Sequence, residues 1–290
     1  MSAIWMDGKA LAAEIRRDVK EKTLTMRQPP TLAVVLVGDD PASAIYVRRK
    51  EADCAECGIR CLDYRLRADV REEQVLALVE ELNLRADVDG VLVQLPLPPQ
   101  IRERVVLEAI DPGKDVDGFH PENVGRLLQF SPRFLPCTSA GIMALLARYG
   151  IDPDGKRCVV VGRSNIVGKP TAVLLLQANA TVTVCHTHTA DLAAQCRQAD
   201  ILVSAAGCPG LIRADMVKEG AVVIDVAMNR GADGALCGDV ELAAAERASC
   251  MTPVPGGVGP MTRAMLMKNT LRAAETACQN AKRRPDDDDE

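Results

Sequence analysis

Aromatic residues are scarce: they make up 2% of the chain, with three Phe, three Tyr and one Trp among 290 residues. Any core must therefore be aliphatic. No apolar run reaches the ~18 residues that a membrane span needs, so no span is expected. Residues Met1 to Trp5 lack the basic region and long apolar stretch of a secretory signal, and a cytoplasmic location is the expectation. The net charge is −5, and the closing run from Asp286 to Glu290 supplies as much by itself. The remaining body is nearly neutral, which argues against nucleic acid as a partner. Histidine is rare, at three residues, whereas cysteine is abundant, at eleven. An odd count without a secretory signal points to reduced thiols. Cys54 and Cys57 have a ligand-like spacing with Cys61 close behind, but no second pair or flanking histidine follows. His186 and His188 do not close a site either, so no metal is expected.

What the chain does contain is a strand–turn–helix pattern. Cys158-Val159-Val160-Val161 runs into Gly162-Arg163-Ser164-Asn165-Ile166-Val167-Gly168, and an apolar segment of helical length follows to Ala178. A buried parallel strand that feeds a glycine turn and a helix N-terminus can bring backbone N–H groups to an anion. Ser164 stands where the usual dinucleotide fingerprint has its middle glycine. A second strand spans 181–185, but no acid for a ribose 2′-hydroxyl comes after it until Asp191. That missing carboxylate, with Arg163 in the turn, favours NADP over NAD, since a guanidinium binds phosphate in paired hydrogen bonds. Strands at 200–205 and 221–226, with helices between, complete a doubly wound, Rossmann-like sheet.

The first half reads as a second α/β domain. Helical periodicity covers 7–24, and strands are expected at 31–37, 60–66 and 88–95, with helices over 43–57, 71–84 and 101–110. Its first strand ends without a glycine-rich turn, so this half need not hold a nucleotide. Ser43, Tyr46 and Lys50 follow that strand on one helix, and Gln94 ends the third strand. Tyr46 and Lys50 share a helix face at i, i+4 spacing, near the strand ends where open α/β sheets bind ligands. From these residues alone, Lys50 reads first as part of a solvated run of charges, Arg48-Arg49-Lys50-Glu51. Asp117 in an acidic, Gly- and Pro-rich loop is either a turn residue or a ligand anchor. Pro253 to Pro260 is too glycine-rich for a routine linker, and a final helix from about Met261 to Cys278 is expected to pack on the first domain.

Five blocks occur in one order along nearly the whole chain. They are Pro41-Ala42-Ser43 with Tyr46-Val47 and Lys50; Asp89-Gly90 through Val93-Gln94-Leu95-Pro96-Leu97-Pro98; Lys114-Asp115-Val116-Asp117-Gly118-Phe119; Gly162 to Pro170; and Pro253 to Thr262. In this the chain resembles the bifunctional 5,10-methylenetetrahydrofolate dehydrogenase/5,10-methenyltetrahydrofolate cyclohydrolase family, in its bacterial short form. The resemblance implies two α/β domains with folate in a cleft between them. Residues 1–139 plus 261–282 would form the catalytic domain and 140–260 the NADP domain, with 283–290 a disordered tail. It implies that NADP+ takes a hydride from the methylene bridge, and that water then converts the methenyl product to the 10-formyl compound of one-carbon metabolism. Lys50 matches the catalytic lysine, with Tyr46 and Gln94 around it. Ser43, Val93, Leu95 and Asp117 match folate contacts, Asp117 as the pterin anchor. Pro255, Gly256, Gly257, Val258 and Gly259 match the loop on the folate side. Gly162, Arg163, Ser164, Thr187 and Met228 match cofactor contacts. A homodimer is the family expectation.

The chain departs from the family pattern at a few places. His186-Thr187-His188 replaces the common His-Ser-basic sequence, and Ala227-Met228-Asn229 replaces Gly-Ile-Asn. Ser139 stands where proline is common, and Arg263 where an apolar residue is. Two other readings compete: an NADP-dependent dehydrogenase of the shikimate type, and a nucleotide-binding redox sensor suggested by the thiols.

Overall fold

The computed structural model describes residues 3–231 and 234–283. Of the tail 283–290, expected to be disordered, Arg283 is the last residue of a helix and 284–290 lie outside the described residues. The chain divides into two compact units, one of Met1–Glu14 with Pro136–Met265 and one of Ile15–Leu135 with Leu266–Glu290.

In the second of these, β2 (Thr31–Val37), β3 (Arg60–Leu66) and β4 (Gly90–Val93) form a parallel sheet in the order β3-β2-β4. Every residue of β2 is buried, as expected of a central parallel strand covered on both faces. The crossovers are α2 (Pro41–Cys57) and α3 (Glu72–Leu84), with α4 (Glu103–Ala109) and α5 (Pro121–Leu128) beyond them. Ala33, Val35, Val91 and Val93 pack with Val75, Val79, Leu82 and Val106 into one aliphatic core, while α2 lies against β2 and β3. Asp40 starts α2 by accepting the Ser43 N–H at 2.8 Å, with Pro41 in the first turn, and Gly58 at φ 70° ends it.

The other unit carries a six-stranded parallel sheet. Its strands are β1 (Ile4–Trp5), β5 (Arg157–Val161), β6 (Thr181–Cys185), β7 (Ile201–Ser204), β8 (Val222–Asp225) and β11 (Cys250–Met251). Their order is β1-β11-β8-β7-β5-β6. Helices α6 (Cys137–Arg148), α7 (Gly168–Gln177) and α8 (Leu192–Cys196) and a small hairpin of β9 (Asn229–Arg230) and β10 (Leu236–Cys237) complete it. Two long helices, α1 (Gly8–Thr23) and α9 (Val258–Arg283), each contribute residues to both units.

The division differs from the one expected in sequence at its start. Residues up to Glu14 group with the nucleotide-type sheet rather than with the catalytic half, because β1 pairs in parallel with β11 at Ile4–Cys250 and Trp5–Met251. A strand of two residues carries no readable periodicity. Helix α9 also begins earlier than expected, at Val258 inside the glycine-rich run, because Pro260 is tolerated in a first turn whose N–H groups have no intrahelical acceptor. Further along α9, Asn269 donates to the carbonyls of Val116 (2.8 Å) and Leu135 (2.9 Å).

Candidate active site

In the unit of β2, β3 and β4, the strand order reverses between β2 and β4. Crevices at such reversals, beyond the carboxyl ends of the strands, are where open α/β sheets take ligands. Lys50 on α2 and Gln94 just past β4 meet there: Lys50 Nζ donates to Gln94 Oε1 at 3.0 Å. Gln94 is held in turn, since its N–H donates to Val35 O (2.8 Å) and its Nε2 to Leu95 O (2.6 Å). Tyr46, one turn before Lys50, is half-buried, as are Lys50, Gln94 and Leu95, while Val93 is buried. Ser43 is buried too, and its hydroxyl donates to Asp40 Oδ2 at 2.7 Å, so this side chain serves the start of α2.

The acidic loop separates into parts with distinct roles. Lys114 donates to the carbonyls of Leu82, Asn83 and Arg85 at 2.7–3.0 Å, closing the end of α3, and burial lowers its pKa. Asp115 is buried and accepts from Phe119 N, His120 N and Asn123 Nδ2. With these two committed to structure, half-buried Asp117 is presented at the turn made by Gly118, whose φ is 75°.

In the other unit the order reverses between β5 and β7, and the glycine turn lies at that point. Gly162 has φ 116°, and a Cβ there would come within 2.3 Å of Ala205 O, just past β7. Only glycine fits so close a crossing. Ser164, in the place of the fingerprint's middle glycine, accepts N–H bonds from Val167 and Gly168 at 3.2 Å, so its hydroxyl organises the entrance to α7. Arg163 is exposed, as are Thr187 and His188 beyond β6. Desolvation and the Arg163 charge both lower the pKa of His186, which sets Arg163 near His186 and favours the neutral imidazole. Glycine loop, hydroxyl cap and the Arg163 guanidinium together suit a dinucleotide phosphate. Ser139, the departure from proline, is fully buried and bonds Thr171 Oγ1 at 2.8 Å, tying α6 to α7.

Met228 is partly exposed, and its Cε lies 3.6 Å from where a Gly259 Cβ would stand, so these two expected residues adjoin. Gly256 (φ 117°) and Gly257 shape the same loop, whose Gly257 N–H donates to Pro253 O at 2.8 Å. Gly8 packs so closely on Gly257 O that a Cβ would lie at 1.8 Å.

Sequence reading missed a pair of buried carboxylates beside the glycine turn. Asp239 accepts from Ser204 Oγ (2.9 Å), Ala206 N (2.8 Å), Gly207 N (3.2 Å), Cys208 N (2.7 Å) and Asn229 Nδ2 (3.0 Å). It thereby fixes the loop after β7, the loop Gly162 rests on. Asp225 at the end of β8 accepts from Asp239 N (3.0 Å) and Val240 N (2.9 Å), and burial pushes its carboxyl up to about 6. The signal available in sequence was Gly238-Asp239 itself, since a Cβ at Gly238 would sit 1.8 Å from an Asp225 oxygen. Among the described residues no group of His, Cys, Asp and Glu could hold a metal ion.

Two parallel sheets, each with polar groups at its reversal and one with a dinucleotide loop, define a nucleotide-dependent α/β oxidoreductase with a separate catalytic unit. Family models carry this further: residues 6–117 match the tetrahydrofolate dehydrogenase/cyclohydrolase catalytic domain and 136–278 its NAD(P)-binding domain. The chain belongs to the tetrahydrofolate dehydrogenase/cyclohydrolase family, and it is a bifunctional methylenetetrahydrofolate dehydrogenase and methenyltetrahydrofolate cyclohydrolase.

The bifunctional protein FolD of Ruminiclostridium cellulolyticum is 55% identical over 94% of this chain and 98% of its own length. That of Moorella thermoacetica is 55% identical over 94% and 99%. The crystal structure of the Campylobacter jejuni FolD dehydrogenase/cyclohydrolase superposes with a TM-score of 0.93 at 50% identity, over 95% of this chain and 99% of that one. The Trypanosoma brucei enzyme, solved with NADP and an inhibitor, gives 0.92 at 40% identity, over 96% and 99%. A Thermus thermophilus shikimate 5-dehydrogenase shares the fold alone, at 16% identity and a TM-score of 0.52, over 85% and 99%. Family membership therefore replaces the shikimate-type reading.

Proposed function

We propose that Lys50 is the proton-transfer group of the hydrolytic step, held in place by Gln94 and flanked by Tyr46. The observation that carries this is the 3.0 Å bond from Lys50 Nζ to Gln94 Oε1 at the strand-order reversal. Asp117 anchors the pterin through paired bonds to its ring N–H donors. Ser43, Val93 and Leu95 shape the folate site, as do the backbone and small side chains of residues 255–259. Water adds to the methenyl carbon, the bond from that carbon to N5 breaks, and the formyl group stays on N10. Lys50 moves the proton between the water oxygen and the leaving nitrogen.

The dinucleotide is NADP. Gly162 and Ser164 would bring backbone N–H groups to its pyrophosphate, and Arg163 with Thr187 would hold the 2′-phosphate, where a carboxylate would repel it. Met228 would lie on the nicotinamide side of the site. When bound, NADP+ accepts a hydride from the methylene carbon of the folate, and the chain contributes orientation and exclusion of water. The enzyme works as a homodimer in the cytoplasm, as the family resemblance implies. No helix among the described residues is long and apolar enough to cross a membrane.

The test is hydrolysis of isolated methenyltetrahydrofolate by Lys50→Met, with NADP titrated against the same variant. Lost hydrolysis with near-normal NADP binding supports the assignment, and retained hydrolysis removes it.

A further inference from the structure

Helix α9 carries an amide among buried apolar residues: Asn269 is 8% exposed, in a stretch where Leu266, Met267, Leu271 and Ala274 are buried. Asparagine is a poor helix former, and a buried amide is unfavourable unless it is bonded. Here the amide joins two distant carbonyls, since Nδ2 donates to Val116 O at 2.8 Å and to Leu135 O at 2.9 Å.

Val116 O belongs to the peptide unit that links Val116 to Asp117. That unit is planar, so a bond to its oxygen also orients the Asp117 end of it. The following peptide unit is held as well, because Gly118 N–H donates to Asp115 O at 3.1 Å. The two planes that meet at the Asp117 Cα are therefore each fixed by a hydrogen bond, and the direction of its Cβ follows from them.

The rest of the turn is anchored to match. Asp115 is bridged in parallel to Val91 of β4, and Val91 N–H donates to Lys114 O at 2.8 Å. The Asp115 carboxylate accepts from Asn123 Nδ2 at 2.8 Å, and Asn123, 1% exposed, also donates to Pro112 O at 2.9 Å. The Val116 side chain is fully buried, so close to Gly90 that a Cβ there would come within 2.7 Å of it. Turn 115–118 is thus fastened alongside β4, the strand that leads into Gln94.

We propose that Asn269 is a positioning residue for the folate site, acting through the Val116 carbonyl to aim the Asp117 carboxylate, and resting on the anchor role assigned to Asp117. Its part is indirect: substrate meets the carboxylate, and Asn269 sets the peptide plane behind it. Paired hydrogen bonds require both carboxylate oxygens to lie toward the ring donors, so a small backbone rotation costs affinity. Without the amide, the Val116–Asp117 unit is free to turn and the anchor loses its aim. Asn269, Val116 and Leu135 all belong to the unit of β2, β3 and β4, so the dinucleotide site is spared.

The experiment is a double-mutant cycle in the full chain: Asn269→Ala, Asp117→Ala and the two combined, each assayed below its thermal midpoint. KM and kcat for methenyltetrahydrofolate hydrolysis are measured alongside the Kd for NADP. Asn269→Ala is expected to raise KM about tenfold, with kcat and the NADP Kd within about twofold of wild type. Asp117→Ala raises KM further, and adding Asn269→Ala to it raises KM no more. Asn123→Ala loosens Asp115 while leaving both α9 bonds in place; it is expected to give the same signature and serves where Asn269→Ala does not fold. A lowered thermal midpoint with unchanged KM in these variants means that the amides only brace the fold, and overturns the proposal. An additional rise in KM in the combined variant overturns the route through Asp117. An unchanged KM in Asp117→Ala itself removes the anchor role, whatever Asn269→Ala does.

Discussion

Lys50 and Gln94 are joined by a hydrogen bond of 3.0 Å, which links α2 to the carboxyl end of β4, beside the point where the three-stranded sheet reverses its order. Gln94 has its own N–H and Nε2 satisfied by backbone carbonyls, so its Oε1 faces Lys50 in a fixed orientation. A hydrogen bond to a charged group is worth about 1.5–3 kcal/mol. Gln94→Ala is expected to slow methenyltetrahydrofolate hydrolysis by roughly tenfold to a hundredfold through kcat, as Lys50 loses its fixed position. Steady-state kinetics on the isolated methenyl compound measure it.

Arg163 stands exposed in the glycine turn, close enough to His186 for its charge to lower the pKa of that imidazole. Arg163→Ala should weaken NADP by about tenfold to a hundredfold, the cost of one charge-assisted contact, and weaken NAD far less. Fluorescence titration with both dinucleotides separates the cases, and equal weakening would count against recognition of the 2′-phosphate.

Much of this was legible in sequence because buried parallel strands read as β-branched runs. Strand β2, with every residue buried, and Val159-Val160-Val161 of β5 are examples. Tyr46, Lys50 and Gln94 were legible as a set only through the order of motif blocks, since a lysine within Arg48-Arg49-Lys50-Glu51 has no distinguishing local pattern. Three features were not legible. Strands β1 and β11 have two residues each, too few for a period, so the pairing that groups the first residues with the six-stranded sheet had no signal. The Val258 start of α9 was hidden by glycine and proline. The Asp225–Asp239 pair joins residues fourteen apart through a hairpin whose partnership no spacing reveals.

Asp239 gathers three successive backbone N–H groups, a serine hydroxyl and the Asn229 amide onto one carboxylate beside Gly162. Asp239→Ala leaves those donors unpaired and frees the loop after β7. The dehydrogenase kcat/KM should fall at least tenfold through a raised KM for NADP, at an estimated 1–3 kcal/mol per unsatisfied buried group. Hydrolysis of supplied methenyltetrahydrofolate, which needs no dinucleotide, should change far less. Parallel assays of the two activities decide it.

Asp225 gives a pH dependence with a defined sign. Burial raises its carboxyl to about 6 in the folded protein, against about 3.9 in an unfolded chain. Between those values the folded state holds a proton that the unfolded state has released. Its stabilising contribution is therefore full below about pH 4 and is lost as pH rises through about 6. Asp225→Asn removes this titration. The stability advantage of wild type over the variant should shrink by roughly 2 kcal/mol between pH 4 and pH 7, as read from thermal midpoints at several pH values. A pH-independent difference would contradict the assignment.

The central claim is that one chain oxidises the methylene carbon with its dinucleotide unit and hydrolyses the product with Lys50. Absorbance of the methenyl intermediate and of NADPH, followed together from 5,10-methylenetetrahydrofolate and NADP+, tests it in wild type and Lys50→Met. The account predicts that NADPH forms in both proteins, while the methenyl compound is consumed by wild type and accumulates with the variant. A Lys50→Met protein that converts the methenyl compound to 10-formyltetrahydrofolate at the wild-type rate would contradict it.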